Sequence, residues 1–304
     1  MTTMFAALDD FLRFDPGERG VGALHAAANP NTPPVEAAAQ TLREVATDGD
    51  AVLLTTGFPI PPDWQPETDG PPGTVVLARA LQELGAKLVI VAEPRVEAPI
   101  DAAAEVCELA TLPFESVSPD VTTTATSEAL LDRYEPGAVI AIERPGRTAD
   151  HTYRSMTGTD ITAHVAPMDP LFALACDREI PTIAVGDGGN EIGMGGIRSV
   201  VEAEIKHGEQ IAATTAVDHL VVAGVSNWGA YGIVAALEHL IGQARLHHPS
   251  TERELLAACC AAGCVDGRTG VAEPWVDGLS TAMHEYVVGL FRELLGHERT
   301  ETES

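Results

Sequence analysis

Short apolar runs alternate along this chain with amphipathic stretches of helical period. Five runs, over residues 51–55, 87–92, 138–142, 181–185 and 219–225, are rich in Val, Ile, Leu and Ala and lack interior polar alternation. Runs of that length read as strands buried on both faces. Segments of helical period cover 74–84, 127–134 and 231–241, between or after the runs. This alternation predicts βαβ units, and hence an α/β fold: a mainly parallel, Rossmann-like layered sheet with helices on both faces. Residues 1–48 read as an N-terminal helical segment packed on the main domain, with a Pro-rich break at 30–34. The main α/β domain is expected over 49–297. Its last part, 255–296, reads as a helix, a turn-rich segment with Asp266-Gly267 and Asp277-Gly278, and a final helix over 281–295. A frayed tail is expected at 298–304.

Composition narrows the function classes. The 45% hydrophobic content fits a globular α/β chain, so disorder is argued against. Charge is unusual: 45 Asp+Glu against 18 Lys+Arg, a net charge of −27, with Lys87 and Lys206 the only lysines. Such an excess points to adaptation to high salt, where counterions screen self-repulsion; an acidic face for a basic partner is the alternative. Nucleic-acid binding is not expected, because phosphate contacts need cations. The five cysteines are odd in number and show no C-x-x-C spacing, so buried free thiols are favoured over a metal cluster. No apolar run nears the ~20 residues that span a bilayer, and no basic leader precedes an apolar core, so a cytoplasmic location is expected.

The chemistry lies after the strands. In a parallel sheet these loops leave from one edge, so residues far apart in sequence converge there. The fourth run enters Gly186-Asp187-Gly188-Gly189-Asn190-Glu191-Ile192-Gly193-Met194-Gly195, where glycines allow a close backbone approach to a ligand. The first leads to Glu67-Thr68-Asp69-Gly70-Pro71-Pro72-Gly73, the third to Glu143-Arg144-Pro145-Gly146-Arg147, and the fifth to Ser226-Asn227-Trp228-Gly229. Glu67, Asp69, Glu143, Asp187 and Glu191 thus form a candidate carboxylate cluster. Like charges that close need protons or a cation: Mg²⁺ or Mn²⁺, an arginine, or a substrate ammonium. The bland reading is that Asp69 and Asp187, each before Gly, only mark turns. Arg144 and Arg147, with Arg154 as a third, are candidate carboxylate clamps or plain loop salt bridges. Gly188-Gly189-Asn190 offers backbone N–H groups to an anion. Both the G-x-x-x-x-G-K-[ST] and G-x-G-x-x-G patterns fail, so no nucleotide cofactor is expected. Trp228 walls the pocket or, preferably, packs beneath its helix. His239, His247 and His248 read as surface. No activated Ser or Cys motif is present.

These segments in this order resemble the D-glutamate cyclase family, with Thr56-Gly57-Phe58-Pro59, Gly224–Gly229, Val265-Asp266-Gly267 and Val276-Asp277-Gly278 extending the likeness over about 50–280. With the acid excess, a haloarchaeal-type member is expected. The chain departs from the family pattern after Tyr153, at Ser155 and Thr157 where Asn and Arg are usual, and at His151 where a small residue is usual. The resemblance implies a hydro-lyase that cyclises D-glutamate to 5-oxo-D-proline, and a divalent metal (Mn or Mg). On this reading Asp187, Glu191, Glu143 and Asp69 are catalytic. Arg144, Arg147, Asn190, Asn227, Gly188 and Gly189 bind substrate, and Glu67, Asp69, Asp187 and Glu191 hold the metal. Ring closure needs the amine aimed at the γ-carboxyl carbon and the carboxylate charge offset. A Mn/Mg-dependent phosphohydrolase is the alternative, and a non-catalytic amino-acid or metal sensor ranks third. The expected partner is a small amino acid, with neither nucleic acid nor membrane; self-association into a homo-oligomer stays open.

Overall fold

The computed structural model describes residues 3–28, 32–110 and 112–296. Six strands, β1 (Ala51–Thr56), β2 (Lys87–Ala92), β3 (Phe114–Ser116), β4 (Pro136–Ile142), β5 (Thr182–Gly186) and β6 (His219–Val222), form one sheet in the order β3-β2-β1-β4-β5-β6. Every pairing is parallel. The expected α/β fold, a parallel layered sheet with helices on both faces, is therefore present. Chain direction across the sheet reverses between β1 and β4, and a doubly wound sheet opens its ligand crevice outside the carboxyl ends of such a pair. Register sets those ends level: Thr56 pairs with Ile142, Ile142 with Val185, and Val185 with Val221.

Side chains alternate between two cores because successive strand residues face opposite sides. Val52, Leu54, Ile140 and Ile142 join one core with helices Pro34–Asp48, Pro71–Leu84, Pro94–Val106, Ser226–Ile241, Pro249–Ala261 and Thr281–Leu295. Leu53, Val139, Ala141 and Ala184 join the other with helices Val21–Ala28, Thr124–Tyr134, Asp169–Asp177 and Arg198–Glu204. Leu8 and Leu12 of helix Met4–Leu12 belong to the first core, so the N-terminal helices share the interior of the main sheet. Proline starts several helices, where its missing N–H costs nothing. Gly85 ends helix Pro71–Leu84 at φ 116°, and a Cβ there would lie 2.9 Å from the Ala46 carbonyl oxygen.

The five apolar runs are all strands. β3 lacks a sequence signal because it is three residues long and only partly buried. Helix Pro94–Val106 was not foreseen either, its interior Pro99 arguing against a helix. The last run stops early, at Val222: two residues on, the Gly224 N–H donates to the Leu12 carbonyl instead of a strand neighbour. The proposed break at 30–34 falls partly, and the tail at 298–304 wholly, outside the described residues. No described helix is long and apolar enough to cross a membrane.

Candidate active site

Two helix N-termini meet at the sheet's carboxyl edge and cap each other. Asp69, just before helix Pro71–Leu84, accepts from the N–H groups of Asn227 (2.7 Å) and Ser226 (2.8 Å) at the start of helix Ser226–Ile241. In return Asn227 Oδ1 accepts from Gly73 N (2.8 Å) and Gly70 N (3.0 Å), while its Nδ2 donates to the Thr68 carbonyl (3.0 Å). Each side chain satisfies N–H groups that the other helix leaves without an intrahelical partner. A Cβ at Gly73 would lie 2.9 Å from Asn227 Oδ1, which explains glycine there.

The glycine turn after β5 closes on its own glutamate. Glu191 Oε1 accepts from Asp187 N (3.0 Å) and Gly188 N (2.6 Å), and Oε2 from Gly189 N (2.7 Å). The backbone donors expected to meet an anion therefore already hold a carboxylate. Met156 lies over Gly188, at the place a Cβ would fill. Asn190 donates through Nδ2 to the Arg154 carbonyl (2.8 Å), leaving its buried Oδ1 without a partner among the described residues.

Asp69, Glu143 and Asp187 each bring a carboxylate oxygen within 4.8 Å of the other two. Glu143 follows β4 at φ 45° and accepts from the Ser226 hydroxyl (2.6 Å). Glu67 and Glu191 stand outside this trio, whereas Glu143 joins it. A residue without any sequence signal completes the centre. Arg19, from the loop before helix Val21–Ala28, places Nη2 at 2.6 Å from Asp187 Oδ2, 2.9 Å from Asp277 Oδ2 and 2.5 Å from the Gly224 carbonyl oxygen. Asp277 was legible only as part of a turn. Burial pushes the Glu67, Glu143 and Asp187 carboxyls well above the usual carboxylate range; neighbouring carboxylates add to the rise, and Arg19 opposes it at Asp187. Asp69 is pushed up to about 7, first by burial and then by Asp277, against the pull of the Asn227 and Ser226 N–H groups.

The arginines separate. Arg144 is 0% exposed and forms a bidentate pair with Glu93 (2.5 and 2.9 Å), with further bonds to the carbonyls of Ala166 (2.6 Å) and Thr56 (3.2 Å). Arg154 lies against Asp150 (3.3 Å) and Asp160 (3.7 Å) at the surface. Only the backbone of Arg147 is tied, its N–H to Asp169 (2.9 Å); its guanidinium makes no hydrogen bond or ion pair among the described residues. Ser155 and Thr157 hydrogen-bond each other near the surface (2.9 Å). Trp228 packs beneath its helix, donating to His284 Nδ1 (2.9 Å). His247, read as surface, is buried because its Nε2 meets Glu252 Oε2 (2.8 Å), which also accepts from the Tyr231 hydroxyl. Cys107, Cys259 and Cys264 are buried free thiols; Cys176 is exposed and Cys260 half-buried.

Strand order and site together define a doubly wound α/β protein with a buried carboxylate centre at its switch point. The family model described as D-glutamate cyclase-like, C-terminal, matches residues 8–292, and the chain belongs to that family. It is 35% identical over 248 residues to the human mitochondrial D-glutamate cyclase, covering 76% of this chain and 38% of that protein. The chain thus spans well under half the length of this curated relative. Among solved structures, the Bordetella bronchiseptica enzyme WbmH in complex with NAD⁺ gives a TM-score of 0.27 at 15% identity, over 62% of this chain and 52% of that one. The N-terminal domain of Candida albicans trehalose-6-phosphate phosphatase gives 0.32 at 10% identity, over 92% and 48%. Neither score is high enough to bear on fold or function.

Proposed function

We propose that this chain cyclises D-glutamate to 5-oxo-D-proline with loss of water. The observation that carries the reading is the convergence of Asp69, Glu143 and Asp187 at the switch point, in a chain of this family. The amine nitrogen attacks the γ-carboxyl carbon, a C–N bond forms, and one carboxyl oxygen leaves. The two protons lost by the ammonium balance those gained by the departing water. Asp187 Oδ1, which has no hydrogen-bond partner among the described residues, is positioned to take the amine proton. Glu143, its carboxyl raised by burial and by Asp187, holds a proton for the leaving oxygen. Arg147 remains for a substrate carboxylate. Asp69, Glu191, Asn227, Gly188 and Gly189 build the frame, and Arg144 braces it from below. With a metal present, Asp69, Glu143 and Asp187 would hold Mg²⁺ or Mn²⁺ as hard oxygen donors, and its charge would offset the γ-carboxylate in place of the proton on Glu143.

The acid excess supports a halophilic member of the family, so the assay belongs in molar KCl. Phosphoester hydrolysis loses its motive, because the turn's N–H groups are engaged by Glu191. The test is formation of 5-oxo-D-proline by the purified chain, with Asp187→Asn and Glu143→Gln variants shown by circular dichroism to be folded. Each variant is expected to lose about 10²-fold or more in rate. Wild-type rates in both would overturn the assignment.

A further inference from the structure

The contact between Arg19 and the carboxylate centre has a mismatch in its chemistry. Three acceptors, Asp187 Oδ2, Asp277 Oδ2 and the Gly224 carbonyl oxygen, all lie within 2.9 Å of the single atom Nη2. A guanidinium terminal nitrogen carries two hydrogens, so one acceptor goes short; an alkylammonium carries three. Nε of Arg19 is buried without an acceptor. The strap that delivers Arg19 is fastened independently of its side chain. Asp15 accepts from the N–H groups of Arg19, Gly20 and Val21, Phe14 stacks on Trp228, and the Leu12 carbonyl accepts from Gly224 N. The backbone of the strap is thus held by contacts that do not involve the Arg19 side chain. On the neighbouring turn, the buried Asn190 Oδ1 has no partner among the described residues, and it lies 3.1 Å from where a Cβ on Gly188 would sit.

We propose that Asp187 Oδ2, Asp277 Oδ2 and the Gly224 carbonyl form the receptor for the α-ammonium of an amino-acid substrate, and that Arg19 is a resident stand-in which the substrate displaces. Exchange of one cation for another keeps the buried carboxylates neutralised, so no bare charge is created as the ligand enters. Asp187 and Asp277 then favour a ligand that brings an ammonium over a plain dicarboxylate that brings none. Asp277 becomes a substrate-binding residue.

The inference rests on the reading of the site as one for glutamate, and its test separates the two. Two ligands are compared: D-glutamate, and glutarate, which keeps both carboxylates and lacks the ammonium. In the unmodified chain, mass spectrometry follows phenylglyoxal modification of Arg19, with the exposed Arg13 as internal control. D-Glutamate is expected to raise modification of Arg19 about tenfold and glutarate to leave it unchanged. Equal effects of the two ligands, or protection of Arg19 by D-glutamate, would overturn the proposal. In Arg19→Met the competitor is gone, so D-glutamate is expected to bind about tenfold more tightly by calorimetry; in Asp277→Asn it binds about tenfold more weakly. Weaker binding to Arg19→Met would instead make Arg19 a ligand for substrate carboxylate and sink the displacement. Release of Arg19 without 5-oxoproline would retain the ammonium site and refute the cyclase reading. Turnover with Arg19 unmoved would do the reverse, and absence of both binding and turnover would end both.

Discussion

Glu93→Gln tests whether Arg144 belongs to the frame. In sequence Arg144 is a candidate substrate clamp, yet both its terminal nitrogens meet Glu93, and Glu93 Oε1 also accepts from Ala166 N (2.7 Å). With Arg144 wholly enclosed, the substitution leaves a buried cation without a counter-charge, its remaining acceptors one amide oxygen and backbone carbonyls. Removing one partner of such a pair costs about 3–5 kcal/mol. Gln keeps one oxygen of the two, so about 3 kcal/mol is the appropriate end. That is a large share of the roughly 5–15 kcal/mol that holds a typical domain. At about 1.6 °C per kcal/mol for a chain of 304 residues, the melting temperature falls by about 5 °C. Differential scanning calorimetry at fixed KCl reads this directly. A variant that melts within about 1 °C of the parent, yet no longer binds D-glutamate, would refute the reasoning and return Arg144 to the substrate.

The reciprocal caps predict that Asn227→Ala destabilises by about 2–4 kcal/mol, since two N–H groups and one carbonyl lose their buried partner; urea unfolding measures it. Gly73→Ala drives a methyl to 2.9 Å from Asn227 Oδ1 and 3.0 Å from Ala230 Cβ, and is expected to cost about 1–3 kcal/mol in the same assay. Asp69 is pushed up from 3.8 to about 7, so the folded chain keeps a proton that the unfolded chain releases. Its contribution is therefore complete below the unfolded value and is lost as pH rises through about 7. Melting temperature in chelator should fall from about pH 5 to about pH 8, with a shallower fall in Asp69→Asn; a rise would contradict the assignment. With a net charge of −27, the melting temperature should climb steadily with KCl, and independence of salt would remove the halophilic reading.

Strand identity and the crevice were legible because fully buried strands carry unbroken apolar runs, and loops after parallel strands share an edge. β3 was not, since two half-buried residues and an exposed one have no measurable period. The acids at the strand ends were also visible, yet their division of labour was not. Nothing in Asn227 or Glu191 as letters tells that one caps a helix at Gly73, 154 residues away, and the other closes its own turn; those roles depend on which N–H groups the fold leaves unpaired. Arg144 misled for a similar reason, because its partner Glu93 sits at the end of another strand. Arg19 carries no motif and Asp277 shows only as part of a turn in Val276-Asp277-Gly278; only the docking of the N-terminal strap beside that turn brings them to Asp187.

The most direct measurement follows D-glutamate labelled with ¹³C at the γ-carboxyl carbon, by NMR, as the chain acts on it in molar KCl. The account predicts that the carboxylate signal is replaced by a lactam carbonyl signal, and that Asp187→Asn abolishes the change while remaining folded. An unchanged carboxylate signal with the folded, unmodified chain, with and without added Mn²⁺ or Mg²⁺, would contradict it.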